Sequence, residues 1–522
     1  MVPTRSKAHA PACVVATGHP RVTEAACEIL RAGGNAFDAA VAAGFCSSVA
    51  EPALSSLGGG GFLLARTAAG RATLFDFFVD TPGRGLPAGA GEPHLLPVTV
   101  RFPSSEQVFH AGLGSVAVPG TLRGLLHVHA SCGRLPLAEV VAPAVSLARD
   151  GVTLNDKQAY FLGLLEPIMT LRPDGRALFE RDGRYVAAGE TFTNPELAAF
   201  MESLVTDGDR ALYEGELARR VADDMSAGAG LLTAADLAAY RVIERAPLTV
   251  GYRGVSVLTN PPPSFGGSLL ALSLRLLDGD EAAPGGSGAG IDAVGDFGSA
   301  RHLASLAACM QEVDRLRASG VTGPDDLEGR QLATARGRVR TATGGTTHVS
   351  ISDAEGNVAS MTTSNGEGSG YLVPGTGVML NNMMGEDDLH PDGFHACPAG
   401  QRVASMMSPS LILDGDDVRL VIGSGGSKRI RTALLQVLSN VIDFGMDVAG
   451  AVDSPRVHWD GDRLQIEPGF EAGVLAELAA TLPVNRWDVL DVYFGGVNAV
   501  EPDTAGAADP RRGGHAATVS LR

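Results

Sequence analysis

The sequence contains 522 residues, 45% of them apolar, which is enough for a large buried core and for roughly two to four domain-sized units. Its formal net charge of −18 argues against a nucleic-acid partner, because phosphates bind to clustered Lys and Arg. The cysteines are scattered with no CxxC pair, which predicts reduced, mostly buried thiols and neither a disulfide framework nor a zinc site: Cys13, Cys27, Cys46, Cys132, Cys309 and Cys397.

The sequence predicts neither a secretory signal nor a membrane span. Residues 1–20 lack a basic region followed by an apolar core. No window approaches the roughly 20 uninterrupted apolar residues of a membrane helix. The longest candidate, Phe37–Val49, has the Ala, Gly and Ser content of a buried helix. The expected location is therefore cytoplasmic, with no membrane partner.

The part of the chain before residue 346 is predicted to be mainly helical. Two helices, Val22–Arg31 and Ala36–Val49, are expected first, followed by paired strands at Gly61–Arg66 and Arg71–Phe78. Residues 118–240 have the apolar stripes and caps of further helices. The remaining predicted elements are a strand at Thr249–Leu258, a rigid turn at Asn260–Gly267, a helix at Ser268–Leu277, a surface loop at Asp278–Asp296 and a mobile polar tail at residues 320–345.

Strand patterns dominate after residue 346. The predicted elements are strands at Val349–Ile351, Val358–Thr363, Val378–Leu380, Ser410–Leu413 and Val418–Ile422, and a helix at Ile430–Phe444. The chain therefore divides into a helix-rich first part and a strand-rich second part. Thr346 lies at the boundary between them.

Thr346 begins a predicted β-hairpin, and its position suggests a chemical role. Residues 347–352 alternate between β-forming and small or polar residues, residues 354–357 form a turn, and the next strand returns. If the Gly345–Thr346 bond is cut, the freed α-amine, with a pKa of about 8, can take the proton of its own hydroxyl. One residue would then supply nucleophile and base. The alternative is that Thr346 only begins a core strand.

Several short motifs occur in an order and spacing that identify a family. They are His19-Pro20, Gly33–Ala43, Glu51-Pro52, Gly58–Phe62, Val118–Thr121, Gly124-Leu125, Ala142–Ala144, Leu147-Ala148, Pro261–Ser264, Thr346–His348, Asn381-Asn382 and Gly423–Gly426. Over nearly its whole length the chain resembles the γ-glutamyltranspeptidases, which are N-terminal-nucleophile (Ntn) hydrolases. The resemblance implies an α+β fold, a four-layer αββα sandwich.

The resemblance also implies a precursor that cuts itself between Gly345 and Thr346. Residues 1–345 would form a large, helix-rich subunit and residues 346–522 a small, strand-rich one. The two would be intertwined as one globular heterodimer. No metal or organic cofactor is expected. The expected partner is a small amino-acid-derived or peptide substrate.

Individual site residues follow from the matching motifs. Thr346 would be the nucleophile and Ser364 the hydroxyl that tunes it, although a strand-end hydroxyl is the alternative for Ser364. Backbone amides of the Gly423–Ser427 turn, including Gly425 and Gly426, would hold the oxyanion. Because Lys428 follows that turn, it could also suggest a phosphate cradle, but the GxxxxGK[ST] spacing is absent.

Substrate contacts are expected from a second group of residues. Asn365 and Ser405 match residues that hold the substrate. Glu386, with the neighbouring Asp387 as an alternative, would meet an α-amino group; an exposed acidic loop is the other interpretation of both.

Two positions depart from the family pattern at the end of the cleft that should bind an α-carboxylate. Phe78 stands where the family has an Arg, and Met406 replaces the second of two adjacent serines. Neither side chain can form the bidentate contact that Arg makes with a carboxylate. A more apolar pocket is therefore predicted.

Three functions remain open from the sequence. The first is γ-glutamyl hydrolysis or transfer to water or an amino acceptor. The second is cleavage of another amino-acid-derived substrate, at an amide or a C–C bond, by the same threonine. The third is an unprocessed, inactive binding protein that keeps the fold.

Overall fold

The structure is a computed structural model that describes residues 12–87, 92–102, 105–279, 295–319, 345–390 and 393–520. Its strands, in chain order, are β1 (Ala12–Thr17), β2 (Gly60–Arg66), β3 (Ala72–Phe77), β4 (Leu96–Phe102), β5 (Ser105–Ala111), β6 (Val152–Thr153), β7 (Glu180–Arg181), β8 (Arg184–Tyr185), β9 (Thr191–Phe192), β10 (Ile243–Arg245), β11 (Leu248–Tyr252), β12 (Val255–Thr259), β13 (Thr346–Ser352), β14 (Val358–Ser364), β15 (Leu372–Val373), β16 (Val378–Met379), β17 (Ser410–Asp414), β18 (Asp417–Gly425), β19 (Val457–Trp459), β20 (Leu464–Ile466), β21 (Val484–Arg486), β22 (Gly496–Glu501), β23 (Ala505–Ala508) and β24 (His515–Ser520).

The helices are α1 (Pro20–Arg31), α2 (Ala36–Ala50), α3 (Thr121–Cys132), α4 (Leu137–Asp150), α5 (Asp156–Met169), α6 (Pro173–Phe179), α7 (Pro195–Asp207), α8 (Arg210–Tyr213), α9 (Gly215–Ala227), α10 (Ala234–Ala239), α11 (Phe265–Asp278), α12 (Ala300–Ala318), α13 (Arg429–Ile442), α14 (Val448–Asp453) and α15 (Ala472–Ala479).

Two antiparallel sheets form the centre of the molecule. One has the strand order β10-β3-β2-β14-β13-β1-β24 and the other β11-β12-β17-β18-β22-β23. Each sheet combines strands from before and after residue 346. The sheets pack face to face, with β13 against β18 and β22.

Helices cover the outer face of each sheet. On the first sheet, α2 packs on β13 and β14, and α1 on β1 and β24. On the second, α11 packs on β11 and β12, and α13 on β18 and β22. The layers therefore run helix, sheet, sheet, helix, and the predicted α+β sandwich is confirmed.

Most sequence predictions of the large elements are confirmed. The first two helices form at Pro20–Arg31 and Ala36–Ala50, and α2 is buried along its whole length because its small side chains allow close packing. The paired strands are β2 and β3. Residues 118–240 are mainly helical, and Thr233 caps α10 through a reciprocal pair of hydrogen bonds with Asp236.

One local prediction is wrong, and one helix is absent from the predictions. The single strand expected at Thr249–Leu258 is a hairpin of β11 and β12, because Arg253 (φ 50°) and Gly254 (φ 84°) form a tight two-residue turn. The helix α12, capped by the hydroxyl of Ser299, had not been predicted. The predicted loop at residues 278–296 and tail at residues 320–345 lie largely outside the described residues.

The sequence also predicts reduced, mostly buried cysteines and no membrane span. All six thiols are free, and Cys13, Cys27, Cys46 and Cys309 are buried, as predicted. None of the helices in the described residues is long and apolar enough to cross a membrane.

Candidate active site

Thr346 stands at the first position of β13, where the sandwich opens into a cleft. Side chains of a strand alternate between its two faces. Val349 and Ile351 point to the helical layer, and the hydroxyl of Ser350 donates to the carbonyl of Asn498 in the second sheet, 3.0 Å away. Thr346 shares the face of Ser350, and Ser364 is its direct partner on β14. The hairpin thus places both hydroxyl residues at the same end of the sandwich.

The cleft has an apolar wall and a polar floor. Its empty space, counted out to the open mouth and including solvent there, is about 310 Å³. The apolar lining consists of Phe78, Met383, Leu389, Met406, Met407 and Ile430, and the polar lining of Thr346, Ser364, Glu386, Ser405 and Ser427. None of the described lining residues is Arg or Lys.

The bond before Thr346 is tightly enclosed. The hydroxyl of Ser364 donates to the carbonyl oxygen of Gly345, and the Gly366 N–H donates to that hydroxyl oxygen at 2.9 Å. A Cβ on Gly345 would lie 2.5 Å from the carbonyl oxygen of Gly366 and 2.6 Å from that of Ala53, so only glycine fits. Within the described residues the hydroxyl of Thr346 itself forms no hydrogen bond. It is therefore available for chemistry.

The glycine turn after β18 lies directly behind Thr346. A Cβ on Gly425 would collide with the carbonyl oxygen of Thr346. Gly426 (φ 123°) and Ser427 (φ 52°) both adopt left-handed backbone conformations, which brings the start of α13 to the cleft. The N–H of Gly426 donates to no acceptor among the described residues. A free main-chain donor beside a nucleophile is what an oxyanion site requires.

His348 is a structural residue of the sheet interface. Its Nδ1 lies 2.7 Å from the hydroxyl of Thr362 and its Nε2 lies 2.9 Å from that of Ser350. Burial lowers the pKa of His348 to about 3, so the ring is neutral. Gly423 on the facing strand leaves room for the ring, since any Cβ there would collide with it.

A buried carboxylate, Glu51, backs the strand on the side away from the cleft. The hydroxyl of Thr347 lies 3.0 Å from each oxygen of Glu51. Burial raises the pKa of Glu51 to about 7, and the hydrogen bond from Thr347 opposes that rise. Sequence reasoning noted Glu51-Pro52 only as a motif and did not assign this contact.

Glu51 should make thermal stability depend on pH. An unfolded Glu titrates at about 4.3, so the folded state holds an extra proton between about pH 4.3 and 7. The stability that this group contributes is complete below about pH 4.3 and is lost as the pH rises through 7, by about 4 kcal/mol or about 3 °C in a chain of this size. We expect Glu51→Gln to remove that part of the pH dependence in scanning calorimetry of an uncut Thr346→Ala chain. The exposed Glu28→Gln is the control, and an equal effect of both variants would contradict the assignment.

Phe78 forms a rigid part of the apolar wall. Its ring stacks on Phe62 with centroids 5.4 Å apart, and its carbonyl accepts hydrogen bonds from the Tyr240 hydroxyl (2.5 Å) and from Arg402. Arg402 also pairs with Asp76 (3.0 Å) and with Asp80 (2.9 Å) behind the wall. This nearby guanidinium is therefore engaged and does not line the cleft.

The segment that contains Met406 is held by the first turn of α11. The carbonyl of Ser405 accepts from the N–H groups of Phe265 (2.9 Å) and Gly266 (3.0 Å) and from the hydroxyl of Ser264 (2.8 Å). These are N–H groups that a helix start leaves without internal partners. The Pro261–Ser264 motif thereby fixes the position of Ser405 and Met406 in the cleft.

The other predicted site residues are distributed around the cleft and are not all in it. Glu386 is half-buried and lines the cleft, whereas Asp387 is exposed and does not. Asn365 is buried outside the lining, and its amide atoms have no hydrogen-bond partner among the described residues. Of the Asn381-Asn382 motif, Asn381 binds the carbonyls of Gly58 (2.9 Å) and Ala117 (3.1 Å).

Sequence reasoning missed part of the lining. Met383 belongs to a short 3₁₀ turn, Leu389 to another, and Ile430 to α13. Met383 follows the Asn381-Asn382 motif and Ile430 follows the glycine turn. Their closeness in the sequence to these two motifs could have indicated that Met383 and Ile430 lie in the cleft.

A family model, two related sequences and a solved structure each match most of this chain. The family model described as gamma-glutamyltranspeptidase matches residues 22–305 and 293–519. The glutathione hydrolase proenzyme of Escherichia coli (strain K12) is 31% identical, and the alignment covers 98% of this chain and 91% of that protein. The acylase ACY 1 proenzyme of Pseudomonas sp. (strain SE83) is 33% identical over 90% of this chain and 86% of that protein. The crystal structure of cephalosporin acylase from Bacillus halodurans superimposes with a TM-score of 0.80 at 27% identity, covering 99% of this chain and 97% of that one.

Proposed function

Because the chain belongs to the γ-glutamyltranspeptidase family, we propose that it is a self-processing Ntn hydrolase that cleaves an amide with an apolar acyl group through Thr346. The observation that carries this proposal is the cleft itself. The free hydroxyl of Thr346 faces a wall of Phe78, Met406 and other apolar side chains, with no cationic residue in the described lining.

The first reaction is cleavage of the precursor. The Thr346 hydroxyl attacks the Gly345 carbonyl carbon, while the Ser364 hydroxyl, already bonded to that carbonyl oxygen, stabilises the charge that develops there. The proton of the hydroxyl passes to the nitrogen of Thr346, the peptide C–N bond breaks, and an ester forms at the Thr346 oxygen. Water then hydrolyses the ester, leaving a carboxylate on Gly345 and a free α-amine on Thr346. The products are a large subunit of residues 1–345 and a small subunit of residues 346–522.

The second reaction repeats this chemistry on the substrate. The α-amine takes the proton of the Thr346 hydroxyl, which attacks the substrate carbonyl, and main-chain N–H groups of Gly425 and Gly426 hold the oxyanion. The leaving amine takes the proton from the α-ammonium. Water, deprotonated by the same amine, resolves the acyl ester and releases the acid.

The acyl end of the substrate is assigned from the cleft wall. Three methionines, Met383, Met406 and Met407, give an adaptable apolar surface next to the ring of Phe78. Two of the similar proteins are named acylases, which supports cleavage of an acyl group as the reaction. Hydrolysis or transfer of a γ-glutamyl group is the second candidate. It is favoured by Glu386, whose carboxylate could meet an α-amino group.

A pair of chromogenic substrates tests the assignment. We expect phenylacetyl p-nitroanilide to be hydrolysed with at least a tenfold higher kcat/KM than γ-glutamyl p-nitroanilide, because the latter would place an unpaired carboxylate against Phe78 and Met406. The γ-glutamyl substrate is also assayed with glycylglycine, so that transfer to an amino acceptor is counted. A higher kcat/KM for the γ-glutamyl anilide would favour the second candidate.

A further inference from the structure

On the side of β1, the main chain of Thr346 extends beyond the sheet pairing, whereas on the other side it is paired with Ser364 of β14. On one side β13 pairs with β1, but the last paired residues are Thr17 and Val349. Side chains replace the missing strand. The Asn498 amide donates to the carbonyl of His348 at 2.7 Å, and the guanidinium Nη1 of Arg512 donates to the carbonyl of Thr346 at 2.8 Å. Arg512 is thus the anchor of the proposed nucleophile on this side.

Arg512 is itself held in one place. It ends a 3₁₀ turn, Pro510–Arg512, that is capped by Asp509, and it is only 7% exposed. Its guanidinium lies over the ring of Phe161, 5.3 Å from the centroid. Gly496 leaves space for its methylene groups, since a Cβ there would collide with Arg512 Cδ.

The same guanidinium lies against the glycine turn. A Cβ on Gly425 would be 2.9 Å from Nη1 of Arg512, and a Cβ on Gly426 would be 3.3 Å from Nη2. The guanidinium of Arg512 therefore lies against both the carbonyl of Thr346 and the turn proposed to hold the oxyanion. Removing its side chain would loosen both.

The charge of Arg512 is poorly compensated. It forms no ion pair within the described part of the chain. Burial and the charge of Arg429 lower the pKa of Arg512 to about 10, which leaves it cationic at neutral pH. The other charged groups that face it are Asp509, Glu51 and Asp491.

Those carboxylates offset the charge only in part. Asp509 is already paired with Arg456 at 2.7 Å and with Arg511 at 3.2 Å. Burial raises the pKa of Glu51 to about 7, so at neutral pH that group is only partly ionised. Among the charged groups around Thr346, Glu386 in the cleft lining opposes the effect of Arg512 on the amine, and Arg512 is the cation that contacts the main chain of Thr346 directly.

We propose that Arg512 is a positioning residue that fixes the main chain of Thr346 and keeps a positive charge beside its α-amine, so that the amine stays neutral and able to accept a proton. The inference rests on the proposed function, because the α-amine exists only after cleavage at Gly345–Thr346. A nearby cation disfavours the ammonium form of an amine and so lowers its pKa. This gives the N-terminal base a larger neutral fraction at physiological pH.

Trace labelling measures the amine without reference to any substrate. Purified wild-type protein is pulsed with trace acetic anhydride over a pH series, and acetylation of the small subunit's N-terminal peptide is followed by mass spectrometry. We expect an amine pKa below the ordinary value of about 8 in wild type. Arg512→Gln and Arg512→Met should each raise it by about one unit or more, and Arg512→Lys should restore most of the lowering. The pH at which kcat/KM rises should move with it.

Arg66→Gln is the matched control. Arg66 is also buried and donates to a main-chain carbonyl, that of Asp416, but at the far end of β2 from the cleft. In this variant the α-amine of Thr346 should titrate as it does in wild type. A wild-type amine at or above its ordinary pKa, or neutral Arg512 variants that titrate as wild type does, would overturn the inference even if a variant folds poorly. An uncut wild-type chain would overturn the proposed function as well, whereas a cut chain with an unshifted amine overturns the role of Arg512 alone.

Discussion

Thr346→Ala should leave a single uncut chain of 53.7 kDa and lower anilide hydrolysis by about 10⁴-fold or more. The substitution removes the hydroxyl that attacks the Gly345 carbonyl, so no ester forms and no α-amine is released. Wild type should instead give two chains of roughly 35 and 18 kDa on a denaturing gel, at about 0.1 kDa per residue.

Thr346→Ser is the control for this prediction. Serine keeps the hydroxyl and occupies less space, so it should still cleave and retain part of the activity. A Thr346→Ala chain that hydrolyses anilides at the wild-type rate would remove the nucleophile assignment. A wild-type chain that stays uncut and inactive would instead favour the third possibility, a binding protein that keeps the fold.

Phe78→Arg combined with Met406→Ser should raise kcat/KM for γ-glutamyl p-nitroanilide by on the order of 10²–10³. Each charge-assisted hydrogen bond to a carboxylate is worth roughly 1.5–3 kcal/mol, and the two contacts together about 3–5 kcal/mol. The new guanidinium would stand in the apolar wall, where a bound carboxylate could pair with it. The same double variant should lose activity toward phenylacetyl p-nitroanilide, because the ring surface of Phe78 is gone.

Phe78→Leu with Met406→Leu is the matched control, because it keeps the wall apolar. It should leave γ-glutamyl turnover low. Since Phe78 packs on Phe62, the melting temperature of each variant is needed to separate a change in specificity from a loss of folding. If wild type already turns over γ-glutamyl substrates at ordinary enzyme efficiency, another residue holds the carboxylate and the assignment of the wall is wrong.

The hairpin that carries the site could be predicted from the sequence. Its alternating pattern fixed the faces of β13, and a short turn at residues 354–357 set the register that brings Ser364 opposite Thr346. Phe78 and Met406 were found because they break the family's motifs at known positions. Both lie in the cleft lining.

The parts that were missed depend on contacts between distant segments. Glu51 meets Thr347 across 296 residues and Arg512 meets Thr346 across 166, and neither contact has a local sequence pattern. Asn365, in the loop after β14, and Asp387, in the short 3₁₀ turn after Glu386, were expected beside the substrate, but neither lines the cleft. Their roles as substrate contacts stay predictions.

Two elements of the fold were not predicted for a different reason. The turn at Arg253-Gly254 interrupts an alternating pattern that continues on both sides, so the pattern alone predicted one strand. Helix α12 has a buried stripe that includes Leu303, Met310 and Val313, with Ser299 as its cap. The signal for that helix was present in the sequence and was overlooked between two polar segments.

The role of Thr346 is tested most directly by the intact mass of purified wild-type protein before and after incubation with phenylacetyl p-nitroanilide and rapid acid quenching. We expect two chains beforehand, the smaller one beginning at Thr346, and afterwards a gain of one phenylacetyl group on that smaller chain, located at Thr346 by peptide mapping. A full-length chain that hydrolyses the anilide, or an acyl group on the larger chain, would contradict that role.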